Sequence, residues 1–310
     1  MTIFRTVAVL GSAALLTACG GSSTDSNDGI STRAISIPFE AFAGSTEITC
    51  GATLQALGSS GVDASLSDFK FFVHNVRLVT DEGAELTVTL DDIEGWQTDG
   101  IALLDFQDYG DSCNTSDETN AKATNTVVHG RVADLPVVIA GIRFTVGVPV
   151  SHNHANYALA TPPLNTQSMF WSWQGGYKHM RVDVKPAGGV DRPDQYDSQD
   201  PPQPLPNAML WQFHLGDTNC SLDPVGTCQY LNRPQINLDG FVEDGSTIRI
   251  DYAELVADNI LSQDLGGAVG CMSGLTDPEC GSTFDQLGLQ LGDADDTPTP
   301  SQTVFSVITR

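Results

Sequence analysis

Apolar and polar residues alternate with a period of two along much of this 310-residue chain. In residues 141–150, 177–184 and 208–215 apolar side chains recur at every second position, which is the pattern of a strand with one buried face. In the third segment His214 lies on the face opposite Trp211. Weaker alternation predicts further strands over residues 35–42, 68–79, 84–91, 125–133, 235–242, 246–252 and 303–309.

Helical periodicity is scarce, and we predict only short helices over residues 52–58 and 252–261 and a turn at 284–287. Many short strands joined by Gly, Pro and Asn turns predict an all-β fold, with one antiparallel β-sandwich or barrel-like domain and long loops. The segment 191–206 is rich in Pro and Asp, which interrupt sheet pairing, and is predicted to be a surface loop inserted in this domain.

Residues 1–18 have the features of a secretory signal peptide. One arginine precedes an apolar run that is too short to span a bilayer, and small residues precede Cys19. The sequence Leu-Thr-Ala-Cys at 16–19 resembles a bacterial lipobox, which implies cleavage before Cys19 and a lipid on that residue. The alternative is a plain secreted protein in which a cysteine lies at the cleavage site by chance.

Residues 19–34 are polar and small, so we predict a flexible tether between the lipidated Cys19 and a domain over residues 35–310. Gly20, directly after the cysteine, favours sorting to the outer membrane. The expected location is therefore the cell envelope, with the lipid anchor in the outer membrane and the domain on its periplasmic or surface side.

The chain is strongly acidic, with 14 Lys and Arg against 39 Asp and Glu and a formal net charge of -25. A nucleic-acid-binding surface needs clustered cations that displace counterions. Adhesion to an anionic membrane surface needs cations as well. The charge balance argues against both classes and predicts an acidic, solvated surface.

Six cysteines remain in the domain once Cys19 is set aside: Cys50, Cys113, Cys220, Cys228, Cys271 and Cys280. An even number in an exported chain predicts three disulfides. Short loops favour the pairs Cys220–Cys228 and Cys271–Cys280, which leaves Cys50 for Cys113.

Candidate chemistry is concentrated in residues 153–181 and 211–220 and just before them. Three of the four tryptophans and four of the six histidines lie there: Trp171, Trp173, Trp211, His152, His154, His179 and His214. Imidazoles beside oxidisable indoles indicate a soft-metal or redox site, with copper and zinc as the metals that a histidine cluster would bind, although the same side chains also suit a β-sheet core or a sugar-binding platform. The chain has no Gly-x-Ser-x-Gly or His-Glu-x-x-His motif, which argues against a hydrolase.

Several phrases of the sequence resemble one known family. The most specific are Trp-Ser-Trp-Gln-Gly-Gly-Tyr-Lys at 171–178 and, within 271–280, Cys-Met-Ser followed by Asp-Pro-Glu-Cys. Over residues 36–290 the chain resembles the MbnP-like proteins, also called the metallo-mystery-pair four-cysteine-motif proteins. The resemblance implies a periplasmic or surface copper-binding protein, paired with a di-haem cytochrome c peroxidase-like enzyme of the MauG type. That partner oxidises a tryptophan of the binding protein to kynurenine, which then helps to bind copper.

The family's features carry over to particular residues of this chain. The four motif cysteines match Cys220, Cys228, Cys271 and Cys280. The copper ligands implied by the resemblance are His154 and His214, with His74 as a third candidate and His152 as a fourth. Neutral imidazole is a common ligand of copper, which agrees with this choice.

The tryptophan to be oxidised would be Trp171 or Trp173, and Trp211 is a lower-ranked candidate. An indole N–H is only a hydrogen-bond donor, so the ring has to open before it supplies a nitrogen ligand. His179 stands where the family pattern leads us to expect an apolar or aromatic residue. It is either an additional ligand or a surface change.

The sequence thus predicts a copper-binding protein that is not itself an enzyme and whose indole is the substrate of a partner. The alternative is a lipid-anchored β-sandwich that binds carbohydrate or protein. In that case the tryptophans form a stacking platform and the histidines are structural.

Overall fold

Two β-sheets pack face to face, and most of the chain lies in or against them. The structure, a computed structural model, describes residues 31–110, 113, 122–172, 174–193, 195–222, 225–294 and 302–310. The predicted signal peptide, Cys19 and Trp173 lie outside these residues. Residues Ser31–Arg310 form one compact unit. Within the described residues, no helix is both long enough and apolar enough to cross a membrane.

The first sheet has six strands, namely β1 (Thr32–Ala43), β2 (Thr46–Glu47), β6 (Thr89–Leu90), β9 (Val127–Ala133), β17 (Ser246–Asp251) and β19 (Phe305–Thr309). Its order is β19–β17–β1–β9–β6, with β2 beside β1. The β1–β9 pair is antiparallel and the β1–β17 pair is parallel. A parallel pair needs a long connection, and here every strand of the second sheet except β18 lies between the two strands in the chain.

The second sheet has eleven strands, namely β3 (Thr53–Leu57), β4 (Val62–Thr80), β5 (Glu85–Thr87), β7 (Gln97–Thr98), β8 (Ile101–Asp105), β10 (Ile139–Val146), β11 (Phe170–Ser172), β12 (Gly176–Pro186), β13 (Trp211–Gly216), β16 (Gln235–Asp239) and β18 (Gly270–Cys271). Its main path is β16–β10–β4–β12–β13–β18. The 19-residue β4 is the centre of this sheet, because β3, β5, β8, β10 and β12 all pair with it.

The remaining elements are short. β14 (Thr218–Leu222) and β15 (Val225–Tyr230) form a separate two-stranded ribbon. The helices are α1 (Val150–Asn153), α2 (Tyr252–Leu255) and α3 (Cys280–Gln286), with 3-10 turns at Tyr157–Leu159 and Gln167–Met169. The all-β sandwich predicted from the alternation is confirmed, with two parallel pairs, β1–β17 and β13–β18, among the antiparallel ones.

Aromatic side chains join the two sheets in the core. Phe39 of the first sheet lies 6.1 Å from Phe71 and 5.7 Å from Phe144 of the second, measured between ring centroids. Phe305 lies 6.0 Å and 5.6 Å from the same two rings. All four contacts are edge-on, the arrangement that aromatic quadrupoles favour. The alternation of β4 and β10 therefore buries one face of each strand between the sheets.

A second apolar cluster lies on the other side of the second sheet. Its buried members are Phe72, Ile101, Leu103, Val148, Leu164, Met169 and Tyr177. Leu164 and Met169 belong to the segment 150–172, so this segment is packed against the sheet instead of standing free in solvent. Part of the face of the second sheet that points away from the core is thereby covered, and Lys178, His179, Asp183 and His214 are buried.

The three disulfides are Cys50–Cys113, Cys220–Cys228 and Cys271–Cys280. All three predicted pairs are confirmed: short loops favoured Cys220–Cys228 and Cys271–Cys280, and Cys50–Cys113 was the pair that remained. Cys220–Cys228 closes the β14–β15 ribbon, and Cys271–Cys280 connects β18 to α3.

The helix predicted over residues 52–58 is wrong. The residues form β3, and Leu54 and Leu57 are fully buried in a strand that pairs with β4. Their spacing of three is produced by a register shift between Leu54 and Leu57, where Ala56 has a φ of 52°. The helix predicted at 252–261 is limited to the single turn of α2. The described part of 191–206 forms only isolated bridges, as expected of a loop.

We expect Phe71→Ala to destabilise the fold by about 3–5 kcal/mol, because it removes a fully buried ring that touches both sheets. The free energy of unfolding in urea measures this loss. Val138→Ala is the matched control, since Val138 is 63% exposed, and should change stability by less than about 0.5 kcal/mol. Similar losses for both variants would contradict the proposed core.

A buried carboxyl pair holds the start of α3. Asp277 and Glu279 are both buried, and Glu279 Oε1 accepts a hydrogen bond from the Leu265 backbone N–H at 2.7 Å. Burial, followed by the hydrogen bond with Glu279, raises the pKa of Asp277 to about 7. A raised carboxyl pKa in the folded state means that the protonated form stabilises the fold. That contribution is complete below about pH 3.8 and is lost as the pH rises through about 7.

Asp277→Asn keeps the neutral form at every pH. We therefore expect its melting temperature to rise relative to the unmodified chain as the pH increases from 5 to 8, with little difference at the acidic end. Asp285→Asn, on the exposed face of α3, is the control and should give a difference that does not change with pH. A pH-independent difference for Asp277→Asn would show that the pair is not protonated in the folded state.

Candidate metal centre

A buried ionic network fixes the orientation of His214. Its Nε2 donates a hydrogen bond to Asp183 Oδ1 at 2.7 Å, and Arg181 donates to Asp183 Oδ2 at 2.6 Å. Arg181 also lies 3.2 Å from the Asp68 carboxylate, so the network crosses the neighbouring strands β4, β12 and β13. Burial would raise the pKa of Asp183, but the hydrogen bond from His214 and the charge of Arg181 lower it. Asp183 is therefore an anion that holds the imidazole in place.

The second nitrogen of His214 has the form that a metal ligand requires. Burial lowers the pKa of His214, so the ring is neutral, and with its proton on Nε2 the Nδ1 atom carries a lone pair. Nδ1 is buried, and among the described residues it has no hydrogen-bond partner. Ligating histidines commonly give their other N–H to a carboxylate, as His214 does to Asp183.

His154 follows α1 and is positioned by its neighbour Asn153. Asn153 is fully buried, donates to Asp217 Oδ2 at 2.7 Å and accepts from the Tyr177 backbone N–H at 2.9 Å. The Asn153 side chain also approaches His154 Nε2 to 3.3 Å. A Cβ on Gly176 would come within 2.6 Å of Asn153, so this packing needs glycine there. The half-buried His154 ring is thus attached to the second sheet through Asn153.

Trp171 and His154 line the same groove. The groove has a volume of about 510 Å³ and is lined by His154, Asn156, Tyr157, Gln167, Phe170, Trp171 and Ser172. Tyr157 and Phe170 pack with their centroids 4.7 Å apart. A second groove of about 330 Å³ includes Trp171, Cys220 and Met272 in its lining, so the half-buried indole separates two open spaces.

Trp171 also contacts the strand that carries His214. A Cβ on Gly216 would lie 2.5 Å from Cζ3 of the indole and 2.9 Å from the Tyr177 carbonyl oxygen. Gly216 is two residues after His214 on β13. The structure therefore brings Trp171 to both the His154 groove and the strand of His214. Trp173 lies outside the described residues, and Trp211 is completely buried in the core.

The other candidate histidines occupy different surroundings. His74 Nδ1 lies 2.8 Å from the Gly147 carbonyl oxygen, and burial lowers its pKa to about 4, but it does not line the groove of His154. His152 Nδ1 lies 2.9 Å from Ser151 Oγ. His179 is fully buried, with Nε2 2.8 Å from Asp217 Oδ1 and Nδ1 accepting from the Val148 backbone N–H at 3.3 Å. Both nitrogens of His179 are used, so the ring is a structural part of the sheet and not a surface change.

Comparison with known proteins agrees with the fold. The MbnP family model matches residues 32–273. A solved structure, MbnP from Methylosinus trichosporium, superimposes with a TM-score of 0.78 at 31% sequence identity, covering 90% of this chain and 99% of that one. The chain belongs to the MbnP family. No curated protein sequence matches it.

Three features of this MbnP-family chain could not be read from the sequence. Asp183 and Asp217, the carboxylates that orient His214 and His179, were not candidates, because partners 31 and 38 residues away leave no local signal. The third feature is a cluster of His154 Nε2 with the sulfurs of Cys220 and Cys228, in which all three atoms lie within 4.8 Å of one another. The two sulfurs are bonded to each other, so this cluster is not a thiolate site in the oxidised chain.

We expect Gly216→Ala to displace the Trp171 ring, because the new methyl group would overlap the indole and crowd the Tyr177 carbonyl. Overpacking of this kind costs about 1–3 kcal/mol. Tryptophan emission and its quenching by acrylamide are measured for each protein and for the same protein carrying Trp171→Phe. The difference between the two reports on the Trp171 ring alone. Gly281→Ala is the control, since a Cβ there would meet nothing within 4 Å. Unchanged Trp171 emission in Gly216→Ala would contradict the contact.

Proposed function

We propose that this MbnP-family chain is an extracytoplasmic copper-binding protein whose centre uses His154, His214 and an oxidised Trp171. The observation that carries the proposal is the buried, unpartnered Nδ1 of His214, in a neutral ring whose Nε2 is held by Asp183. Such a ring offers its lone pair without rearrangement. His154 and Trp171 supply the accessible side of the centre, since both line the open groove.

Copper would supply a soft, redox-active ion, and imidazole is among its usual ligands. An indole cannot contribute a lone pair, whereas kynurenine has an aryl amine and a ketone. We therefore propose that a di-haem enzyme of the MauG type oxidises Trp171. The half-buried position of Trp171 between two grooves supports this choice over Trp211, which has no exposed surface.

The proposed role is binding and not catalysis. The chain is the substrate of its partner and then a carrier or scavenger of copper, held at the cell envelope by a lipid on Cys19. His74 remains a lower-ranked ligand, because its Nδ1 is engaged with the Gly147 carbonyl, although its pKa of about 4 keeps the ring neutral.

The test is to produce the chain with and without a MauG-type partner and to measure copper content and peptide masses. With the partner, we expect one copper ion per chain and a peptide over 169–178 whose mass corresponds to kynurenine in place of tryptophan. His214→Ala should weaken copper binding at least about tenfold, since loss of even an outer partner of a ligand costs that much. His129→Ala, whose ring lies against Ser36 on the first sheet, is the matched control.

Full-affinity copper binding by the chain produced without the partner would show that kynurenine is not part of the copper centre. Equal copper affinity in His214→Ala and His129→Ala would show that His214 is not a copper ligand. Retention of an unmodified Trp171 and no bound copper would favour a second function, suggested by the aromatic lining of Tyr157, Phe170 and Trp171 in the same groove. Aromatic faces of this kind stack on sugars, and chelator-insensitive glycan binding would identify that activity.

A further inference from the structure

The β14–β15 ribbon brings one disulfide next to a histidine. Cys220 and Cys228 are directly opposite each other in the antiparallel pair and close a loop with a sequence separation of 8. The ribbon belongs to neither large sheet. Opening this disulfide therefore leaves the pairing of both sheets intact.

This disulfide is also the most accessible of the three. Cys220 and Cys228 are both half-buried, whereas Cys271 and Cys280 are completely buried; in the remaining pair Cys113 is completely buried and Cys50 is half-buried. Cys220–Cys228 is thus the one pair of the three in which neither residue is fully buried, and we expect a reductant in solution to reach it first. Exposed disulfides are typically the labile or regulatory ones, in contrast to buried structural disulfides.

His154 lies directly against this disulfide. Its Nε2 is 3.3 Å from Cys228 Sγ. Gly226 of β15, with a φ of 85°, faces the flat side of the ring, and a Cβ there would come within 3.0 Å of it. The ring is thus held between the ribbon backbone and the sulfur. Nε2 and both sulfurs lie within 4.8 Å of one another, a spacing that one metal ion can bridge.

Reduction changes the chemistry of these three atoms. A dithiol reductant supplies two electrons and two protons, the sulfur–sulfur bond breaks, two thiols form, and the reductant becomes a disulfide. Thiolates, not disulfide sulfurs, are metal ligands, and each thiol loses its proton when it binds an ion. One imidazole and two thiolates are a soft donor set, which suits Cu(I).

We propose that reduction of Cys220–Cys228 creates a second metal site, in which His154 Nε2 and the two thiolates bind Cu(I). The site is separate from the copper centre proposed above, because it needs neither an oxidised tryptophan nor His214. The two proposals share His154, so the ribbon site and the groove centre draw on the same imidazole ring.

The test uses the full chain with Cys19→Ser, to remove the seventh thiol, and Trp171→Phe, so that the kynurenine-dependent centre cannot form. The protein is produced without a MauG-type partner and treated with a dithiol under native conditions. Alkylation and peptide mapping should label Cys220 and Cys228 and leave Cys271 and Cys280 unlabelled. Titration against a chromophoric Cu(I) chelator should then show one Cu(I) per chain, absent before reduction.

Three further variants make the outcome decisive. His154→Ala should weaken Cu(I) binding at least about tenfold, and His129→Ala, on the first sheet, should leave it unchanged. Cys220→Ser with Cys228→Ser should gain no Cu(I) on reduction, and its near-ultraviolet circular dichroism should match that of the parent. Absence of Cu(I) binding despite labelled thiols, binding by the double-serine variant, or equal affinity in His154→Ala would overturn the proposal. Preferential retention of Zn(II) in a direct competition would overturn the choice of ion.

Discussion

The fold depends on satisfying charges that the second sheet buries on its outer face. β12 is covered on both sides: Met180, Val182 and Val184 enter the core, Arg181 donates to the Ser168 carbonyl of the segment 150–172, and Asp183 is fully buried. An unpaired buried charge would cost several kcal/mol, so Asp183 must keep its cationic and N–H partners. Arg181 and His214 supply them. The orientation of His214 is therefore a condition for burying β12, and the lone pair on its Nδ1 follows from that condition.

A second buried hydrogen-bond network, centred on Asp217, positions His154. Asp217 is buried and receives hydrogen bonds from Asn153 at 2.7 Å and Arg233 at 2.8 Å, and it lies 2.8 Å from His179 Nε2. Through Asn153 these contacts attach α1 to the start of β12. Both proposed copper ligands are consequently positioned by a carboxylate that the fold already requires, which is how rigid elements pre-organise a site.

Local pattern was sufficient for most of the longer strands, missed β3, β8, β14 and β15, and was insufficient for the site. Alternation over 208–215 predicted that His214 faces away from the core, and short loops predicted two of the disulfide pairs. The same reasoning misassigned residues 52–58, because the register shift in β3 imitates helical spacing. It also left Trp171 and Trp173 equivalent, since two residues that share a strand face look alike in sequence. The contact of Trp171 with Gly216, on a different strand, is visible only in the tertiary packing, and Trp173 lies outside the described residues.

The position of His154 has a consequence for how the two proposed sites relate. Its ring contacts the ribbon sulfur and also lines the groove, so both proposed sites draw on the same imidazole. While the disulfide is intact, the sulfurs are not thiolates and do not compete with the groove for a metal ion. Once the disulfide opens, the thiolates of Cys220 and Cys228 compete with the groove ligands for copper and for the His154 ring. The redox state of Cys220–Cys228 thereby sets whether His154 belongs to the groove or to the ribbon, without movement of either sheet.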